Sequence, residues 1–194
     1  DGTRGGEITA KNPDGSPRHL YDAAFDLFSC KTPVVAAVQG AAVGGGLGVA
    51  CFADFRIAAP EARFTANFAR LGFHHGFGLS VTLPGLVGQQ KALELLYTGA
   101  RIKGEEAVEI GLADKLVPLK DLRSATFDFA GEIAASAPLA VESIRETMRG
   151  HLPAAIKSAT DREKEEQDRL RTTDDWKEGV NAMNERRHPN FSRR

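Results

Sequence analysis

The chain has 194 residues, of which 42% are hydrophobic and 26% are charged, and its formal net charge is −1. These values are typical of one soluble globular domain, and they exclude a nucleic-acid binder that depends on bulk positive charge. No apolar run is long enough to cross a membrane, and we expect no secretory signal at the start. Cys30 and Cys51 lie in apolar surroundings, which predicts free thiols in a reducing, cytoplasmic compartment.

The first quarter of the chain predicts a loop, a helix, a buried strand, a glycine loop and a second helix. Residues 1–18 are rich in Gly, Pro, Asp and Asn without a hydrophobic period, so we expect a mobile loop and a first portion of the domain upstream of it. Apolar residues in 19–29 recur at helical spacing, and 34–38 form a β-branched run typical of a strand buried on both faces. A small-residue loop at 41–46 and a helix at 47–53 follow.

The rest of the pattern predicts an α/β layered domain with a helical end. Further strands are predicted at 54–59, 63–66 and 116–117, and further helices at 89–97, 103–110, 119–136 and from Pro138 onward. The highly charged segment 153–187 predicts a helix that packs on a neighbouring subunit or lies across the domain. We therefore divide the chain into a core, residues 1–135, and a helical region, residues 136–194.

Three consecutive glycines, Gly44, Gly45 and Gly46, have the clearest chemical meaning. Between a strand and a helix they let the backbone approach a ligand with no Cβ in the way. The unpaired N–H groups at the helix start, together with the helix dipole, suit a developing oxyanion. A tight turn without a ligand would explain the glycines alone. A phosphate loop is disfavoured because the chain lacks both the Lys-Ser/Thr ending of a P-loop and the G-x-G-x-x-G order.

Residues 33–54 resemble the core motif of the crotonase, or enoyl-CoA hydratase/isomerase, superfamily: a strand, then GxAxGGG, a helix, and an aspartate before the next strand. Three later segments are similar to segments of the same family. They are ARFTANFARLGFHHGFG at 62–78, LVGQQKALELLYTGARIKGEEAVEIGLADKLVP at 86–118 and TTDDWKEGVNAMNERRHPNF at 172–191. Four matching segments in the same order make the resemblance specific.

The resemblance implies a ClpP/crotonase-like spiral of ββα units with a C-terminal helical trimerisation region, assembled as a homotrimer or a dimer of trimers. It implies an acyl-CoA thioester as substrate and partner, with coenzyme A as part of the substrate and no separate cofactor. No metal, nucleic acid or membrane partner is expected. The N–H of Gly45, the middle glycine, would be one oxyanion donor, and the other would lie upstream of Asp1.

The two glutamates that hydratases of this family use have no match in this chain. The first falls two residues after the glycines, where Gly48 stands, and the second falls four residues before Gly72, where Phe68 stands. Gly76 occupies the region where other members place an aspartate. Because hydration needs groups that activate water and exchange a proton, hydrolysis, carbon–carbon cleavage, decarboxylation or isomerisation are the reactions left open.

His74 and His75 are the remaining candidates for acid–base catalysis near neutral pH. The alternative is that one or both are loop histidines bonded to backbone or water. The resemblance also implies residues that contact the acyl group and a basic residue that reaches a coenzyme A phosphate, for which a solvated helix charge is the alternative. These substrate-binding candidates are Ala41, Val43, Gly44, Phe68, Leu71, Phe73, Phe77 and Arg186.

Three functions are compatible with these residues. The first is an enoyl-CoA hydratase/isomerase-like enzyme that polarises a thioester carbonyl, by a reaction other than standard hydration. The second is a non-catalytic crotonase fold that binds acyl-CoA or serves assembly, which the loss of both glutamates would permit. The third is the related self-compartmentalising serine protease fold, which is disfavoured because Leu47 rather than a serine follows the triplet.

Overall fold

The structure is a computed structural model that describes residues 9–11, 14–19 and 26–194. Its strands are β1 (Thr9–Lys11), β2 (Pro17–His19), β3 (Val35–Val38), β4 (Ala41–Val43), β5 (Phe55–Ala58), β6 (Arg63–Thr65), β7 (Arg101–Lys103) and β8 (Lys115–Leu116). Its longer helices are α1 (Gly45–Phe52), α2 (Leu79–Val87), α3 (Gln89–Thr98), α4 (Gly104–Glu109), α5 (Leu122–Ala134), α6 (Pro138–Arg149), α7 (Leu152–Arg171) and α8 (Asp174–Glu185). Two short 3₁₀ turns lie at Ala69–Leu71 and Leu119–Asp121.

The start of the chain differs from the predicted loop in the residues that the structure describes. β1 and β2 pair in antiparallel register within residues 1–18, where no strand was predicted, with β2 ending one residue beyond that range. The two strands flank Gly15, whose φ of 82 is readily adopted only by glycine. Of the helix predicted at 19–29, residues 26–28 are helical, and 20–25 lie outside the described residues.

Strands β3 and β4 form one coil of the chain, β5 and β6 form the next, and parallel pairing joins the two coils. β3 and β4 belong to different sheets, and so do β5 and β6. Val35 of β3 lies opposite Phe55 of β5, and Ala41 of β4 lies opposite Arg63 of β6. β8 extends the first sheet in parallel, and β7 extends the second in antiparallel fashion. Each strand of the first coil therefore pairs with its counterpart in the second, and this arrangement is a spiral. Helix α1 connects the two coils along the chain.

The segment around the glycines is more regular than predicted. The loop predicted at 41–46 contains strand β4, and the helix predicted at 47–53 begins at Gly45. The extra strand forms because β6 supplies a parallel partner for three small residues. β3 is confirmed as a strand, but Ala37 is exposed and only Val38 is buried in it, whereas burial on both faces was predicted.

The charged segment 153–187 forms two helices rather than one. Thr173 separates α7 from α8, because its side chain accepts the N–H of Trp176 at 3.1 Å and so caps α8. α7 packs across the domain against α2 and buries Ile156, Glu163 and Gln167. This agrees with one of the two placements predicted for the segment. The division at residue 135 stays a prediction.

Three groups of buried residues hold the layers together. The largest lies between α1, β6 and helices α2 to α4, and includes Leu47, Phe64 and Leu83. A second, smaller cluster joins α1 to α7 and consists of Phe28, Phe52, Phe77 and Ile156. The third lies under α5 and includes Ile57, Ala59 and Leu122.

Candidate functional site

The glycine triplet forms the turn from β4 into α1. Gly44 caps the helix with φ 55 and ψ −118, a conformation that needs a residue without Cβ. Its N–H donates to the carbonyl of Thr65 at 3.0 Å, and its own carbonyl accepts the N–H of Gly48 at 3.2 Å. The first N–H groups of a helix have no intrahelical partner, and those of Gly45 and Gly46 also have no other acceptor among the described residues. Both of these glycines are exposed.

The opposite end of α1 is held by two arginines. Arg56 is buried and donates from Nη1 to the carbonyl of Ala53 at 2.7 Å. Arg149 of α6 donates to the carbonyls of Ala53 at 3.2 Å and Phe52 at 2.8 Å. These bonds satisfy orphan carbonyls and place positive charge at the negative end of the helix dipole. The helix is therefore fixed at its carboxyl end and open at its amino end.

An open groove of about 320 Å³ runs beside the start of α1. Gly46 forms part of its edge, and Val38, Ala42 and Ala50 line it. The predicted substrate-binding residue Ala41 also lines this groove, whereas Val43, 39% exposed, is not among its lining residues. The groove is therefore mostly apolar and adjoins the unbonded N–H groups.

Phe68 covers the other side of the triplet. A Cβ placed on Gly44 would be 3.6 Å from Phe68 Cζ and 3.5 Å from Asn67 Oδ1. Phe68 is 9% exposed and belongs to the largest buried cluster. The position of the second hydratase glutamate is thus filled by a ring that packs beside the glycine backbone.

Phe77 fills the space next to the position of the first glutamate. A Cβ on Gly48 would lie 2.5 Å from Phe77 Cδ1 and 2.6 Å from Phe77 Cβ and Cγ. Phe77 has φ 64, which is rare for a bulky residue, and is 5% exposed. Its ring belongs to the cluster with Phe28, Phe52 and Ile156. No side chain fits at Gly48 while Phe77 stays in place.

The two histidines lie on the loop between Phe68 and Phe77 and have different bonds. His74 Nδ1 is 2.7 Å from the carbonyl of His75, so Nδ1 carries the hydrogen and a neutral His74 keeps its lone pair on Nε2. His75 Nε2 is 2.8 Å from Ser80 Oγ, and the two imidazole rings stack at 4.2 Å. Burial, together with the neighbouring His74, lowers the pKa of His75 to about 4. His75 is therefore neutral at pH 7.

A buried glutamate from α7, which the sequence did not reveal, holds this loop. The Glu163 side chain is fully buried and accepts the N–H of Gly78 at 2.9 Å and that of Ser80 at 3.0 Å. It also accepts the hydroxyl of Ser80 at 2.7 Å. Burial raises the pKa of Glu163, while these hydrogen bonds favour its charged form. Gln167, one turn further along, donates to the carbonyl of His74 at 3.0 Å.

The remaining predicted substrate-binding residues lie toward α8. Phe73 is half-buried, with the Trp176 ring centroid 6.5 Å away and the Arg171 guanidinium 5.3 Å above its ring. Leu71 is half-buried, and its backbone packs directly on Gly179. Arg186 is exposed and ends α8 in a left-handed conformation. Among the described residues, the structure places Phe68 against Gly44, and Phe77 meets α1 at Gly48.

The described part of the chain offers neither a metal-binding cluster nor a membrane-spanning helix. No group of three or more His, Cys, Asp or Glu side chains is arranged to hold a metal ion there. None of the helices in the described part combines the length and the hydropathy that crossing a membrane requires.

The solved structure of an enoyl-CoA hydratase/isomerase from Pseudoalteromonas atlantica T6c matches with a TM-score of 0.84 and 29% identity, covering 93% of this chain and 73% of the other. An enoyl-CoA hydratase from Mycobacterium avium subsp. paratuberculosis K-10 matches with a TM-score of 0.82 over 90% of this chain and 74% of the other, at 24% identity. The predicted crotonase-type α/β fold is confirmed by these likenesses.

The amino-acid sequence agrees with the fold. Residues 4–194 match the family model described as enoyl-CoA hydratase/isomerase. The short-chain-enoyl-CoA hydratase of Clostridium acetobutylicum is 36% identical over 155 residues, which are 80% of this chain and 59% of that protein. The crotonyl-CoA hydratase of Syntrophomonas wolfei is 39% identical over 159 residues, 82% of this chain and 61% of that protein. The chain belongs to the enoyl-CoA hydratase/isomerase family, and it spans about three fifths of the length of these two relatives.

Proposed function

We propose that this chain carries part of an acyl-CoA thioester site, in which the N–H of Gly45 binds the thioester carbonyl oxygen as negative charge develops on it. The observation that supports this most directly is the exposed start of α1, where the N–H groups of Gly45 and Gly46 lack an acceptor among the described residues. Removing one such donor typically costs about 3 kcal/mol of transition-state stabilisation. Family membership, and relatives whose names specify enoyl-CoA substrates, support acyl-CoA as the ligand.

The second step of the reaction is proposed to differ from hydration by two glutamates. Gly48 and Phe68 supply no carboxylate, and Phe77 occupies the space that a side chain at position 48 would need. Hydrolysis, carbon–carbon cleavage or isomerisation remain as reactions that start from a polarised thioester. Of the two histidines, His74 has the lone pair on Nε2 available to take a proton, while His75 is bonded to the serine of α2. We therefore assign the base to His74 and its support to His75.

The substitution Gly45→Pro removes the N–H donor and leaves the helix in place. Gly45 occupies the first position of α1, where proline is well tolerated because its missing N–H has no helical partner. A Cβ on Gly45 meets no atom within 4 Å, so Gly45→Ala is a matched control that keeps the N–H. Gly45→Pro and Gly45→Ala should unfold at the same denaturant concentration as the parent, apart from the small difference that the change in helix propensity causes.

The assay is product analysis on a panel of acyl-CoA thioesters, with binding measured by calorimetry. We expect Gly45→Ala to retain turnover and Gly45→Pro to lose about 100-fold or more in kcat/KM. Equal turnover by the two variants would show that this N–H does not bind the oxyanion. The alternative, a non-catalytic fold that binds acyl-CoA, is supported by the absence of both glutamates, and it predicts binding without turnover of any panel member.

The proposed assembly is a homotrimer or a dimer of trimers. Two large apolar side chains one turn apart on α6 support an assembly, because Ile144 is 62% exposed and Met148 is 67% exposed. Sedimentation of the full chain measures the assembly directly, and Ile144→Glu should lower the association state if this surface is the contact. A monomer at micromolar concentration would contradict the proposed assembly.

A further inference from the structure

The hydroxyl group of Ser80 links the buried Glu163 to His75. Ser80 Oγ lies 2.7 Å from Glu163 Oε1 and 2.8 Å from His75 Nε2. A hydroxyl group carries a single hydrogen, so it can donate to only one of these two groups. The group that receives this hydrogen decides which nitrogen of the His75 ring carries its own hydrogen.

Glu163 receives the hydroxyl hydrogen, because an ionised carboxylate can only accept. Three donors converge on its two oxygens: the N–H of Gly78 on Oε2, and the N–H and O–H groups of Ser80 on Oε1. A proton on either oxygen would compete with one of these donors, so the cluster fits the ionised form. A hydrogen bond to a charged group is also stronger than one between neutral groups. The Ser80 hydroxyl is therefore directed at Glu163.

His75 must then donate to Ser80. Since the only hydrogen of Ser80 Oγ points at Glu163, the bond at 2.8 Å requires a hydrogen on His75 Nε2. His75 is neutral at pH 7, because burial and the neighbouring His74 lower its pKa to about 4. A neutral imidazole carries a hydrogen on one nitrogen only, so the lone pair of His75 is on Nδ1. This Nδ1 has no hydrogen-bond partner in the part of the chain that the structure describes, and the side chain is 20% exposed.

We propose that Glu163 is a positioning residue that sets the tautomer of His75 through Ser80. The two stacked rings then present opposite nitrogens as proton acceptors, Nε2 on His74 and Nδ1 on His75. The proposal deepens the proposed function and rests on it for its meaning, because His75 is the residue assigned to support the base at His74. The tautomer itself is measured without a substrate, so its result does not depend on whether any thioester is turned over.

The test is an NMR measurement at pH 7 on the full chain with isotope-labelled histidine nitrogens. A ring nitrogen that carries a hydrogen and one that carries a lone pair resonate in separate regions, and the signals that disappear in His75→Gln identify His75. In the parent chain we expect the Nε2–H form to exceed the Nδ1–H form by about tenfold or more, because the reverse tautomer would forfeit a hydrogen bond to a charged group. In Glu163→Met, which keeps the length of the side chain, the Ser80 hydroxyl is free to donate to His75 Nε2. We expect the ratio of the two forms to fall there by about tenfold or more.

Gln167→Ala is the matched control on the same helix. It removes the bond of 3.0 Å to the carbonyl of His74 and keeps the carboxylate of Glu163, so the ratio should stay at the parent value. A fall as large as in Glu163→Met would show that loosening the loop, rather than losing the carboxylate, changes the tautomer, and would refute the proposal. An unchanged ratio in Glu163→Met would refute it too. A parent chain that is mainly in the Nδ1–H form would overturn it even if Glu163→Met does not fold.

Discussion

The substitution Gly48→Ala tests the contact between α1 and Phe77, on which the argument against hydration depends. The added methyl group would lie 2.5 Å from Phe77 Cδ1 and 2.6 Å from Phe77 Cβ. Carbon atoms in favourable contact are about 3.5–4.0 Å apart, so Phe77 would have to move by about 1 Å. Its ring is packed against Phe28, Phe52 and Ile156, and its Cβ moves only with the backbone.

The expected free-energy change follows from two opposing effects. Overpacking a well-filled core costs about 1–3 kcal/mol, and a contact at this distance places Gly48→Ala at the upper end. Alanine favours a helix over glycine by about 1 kcal/mol, which offsets part of the cost. We therefore expect Gly48→Ala to lower the free energy of unfolding by about 2 kcal/mol. Gly131→Ala, in α5 where a Cβ meets nothing within 4 Å, should instead raise it by up to about 1 kcal/mol.

A double-mutant cycle with Phe77→Gly isolates the contact. Phe77→Gly alone should cost about 3–5 kcal/mol for the lost ring, lessened by relief of the strained φ of 64. In the double variant the new methyl group of position 48 has free space, so the two costs should fall short of additivity by at least about 1 kcal/mol. Urea denaturation of the four proteins gives these values. Additivity within about 0.5 kcal/mol would show that Phe77 does not fill the space beside Gly48.

Three further predictions concern the groups that hold the loop and the helix in place. Burial and His74 lower the pKa of His75 to about 4, so the folded chain binds fewer protons than the unfolded one between pH 6.5 and 4. The free energy of unfolding should therefore fall across that window on acidification, by up to about 3 kcal/mol, and His75→Gln should flatten the fall in a urea titration. The raised pKa of Glu163 changes stability with pH in the opposite direction, and this contribution is present in both proteins. An unchanged slope in His75→Gln would contradict the lowered pKa of His75. Glu163→Gln should cost about 1–3 kcal/mol, measured by urea denaturation, because an amide cannot accept all the N–H and O–H groups that the carboxylate accepts. A loss below about 0.5 kcal/mol would show that Glu163 does not hold the loop. Asp54→Asn should cost about 3 kcal/mol by thermal unfolding, because the carboxylate is 9% exposed and pairs with Arg145 at 3.0 Å and Arg149 at 2.8 Å, and a melting temperature equal to the parent's would refute it.

The sequence predicted the fold and the centre of the site where the pattern is local. A β-branched run, three glycines and an apolar helix follow one another in the chain, and they form β3, the turn and α1 in the structure. Strand β4 was missed because its three small residues become a strand only when β6, twenty-two positions later, pairs with them. Helix α2 was missed because Pro84 and Gly85 lie within it and interrupt the helical pattern.

The interior of the site could not be predicted for a related reason. That Gly48 and Phe68 are not acids can be read from the sequence, but the ring of Phe77 over Gly48 cannot, because a left-handed phenylalanine has no local pattern. Glu163 looked like one more charge in a charged helix. Only its burial and its bonds to Gly78 and Ser80 distinguish it from the exposed acids around it.

The bonds of Glu163 also bear on the order in which the chain folds. Its carboxylate caps α2 across a sequence separation of 85 residues, and Arg145 reaches Asp54 across 91. Contacts of such separation require closure of long chain segments and tend to form late in folding. The spiral around α1 can therefore form early, while the histidine loop acquires its final shape only after α7 docks. A chain interrupted before α7 would keep the glycine turn and lose the ordered histidines, so the shape of this loop depends on a residue 85 positions further along the chain.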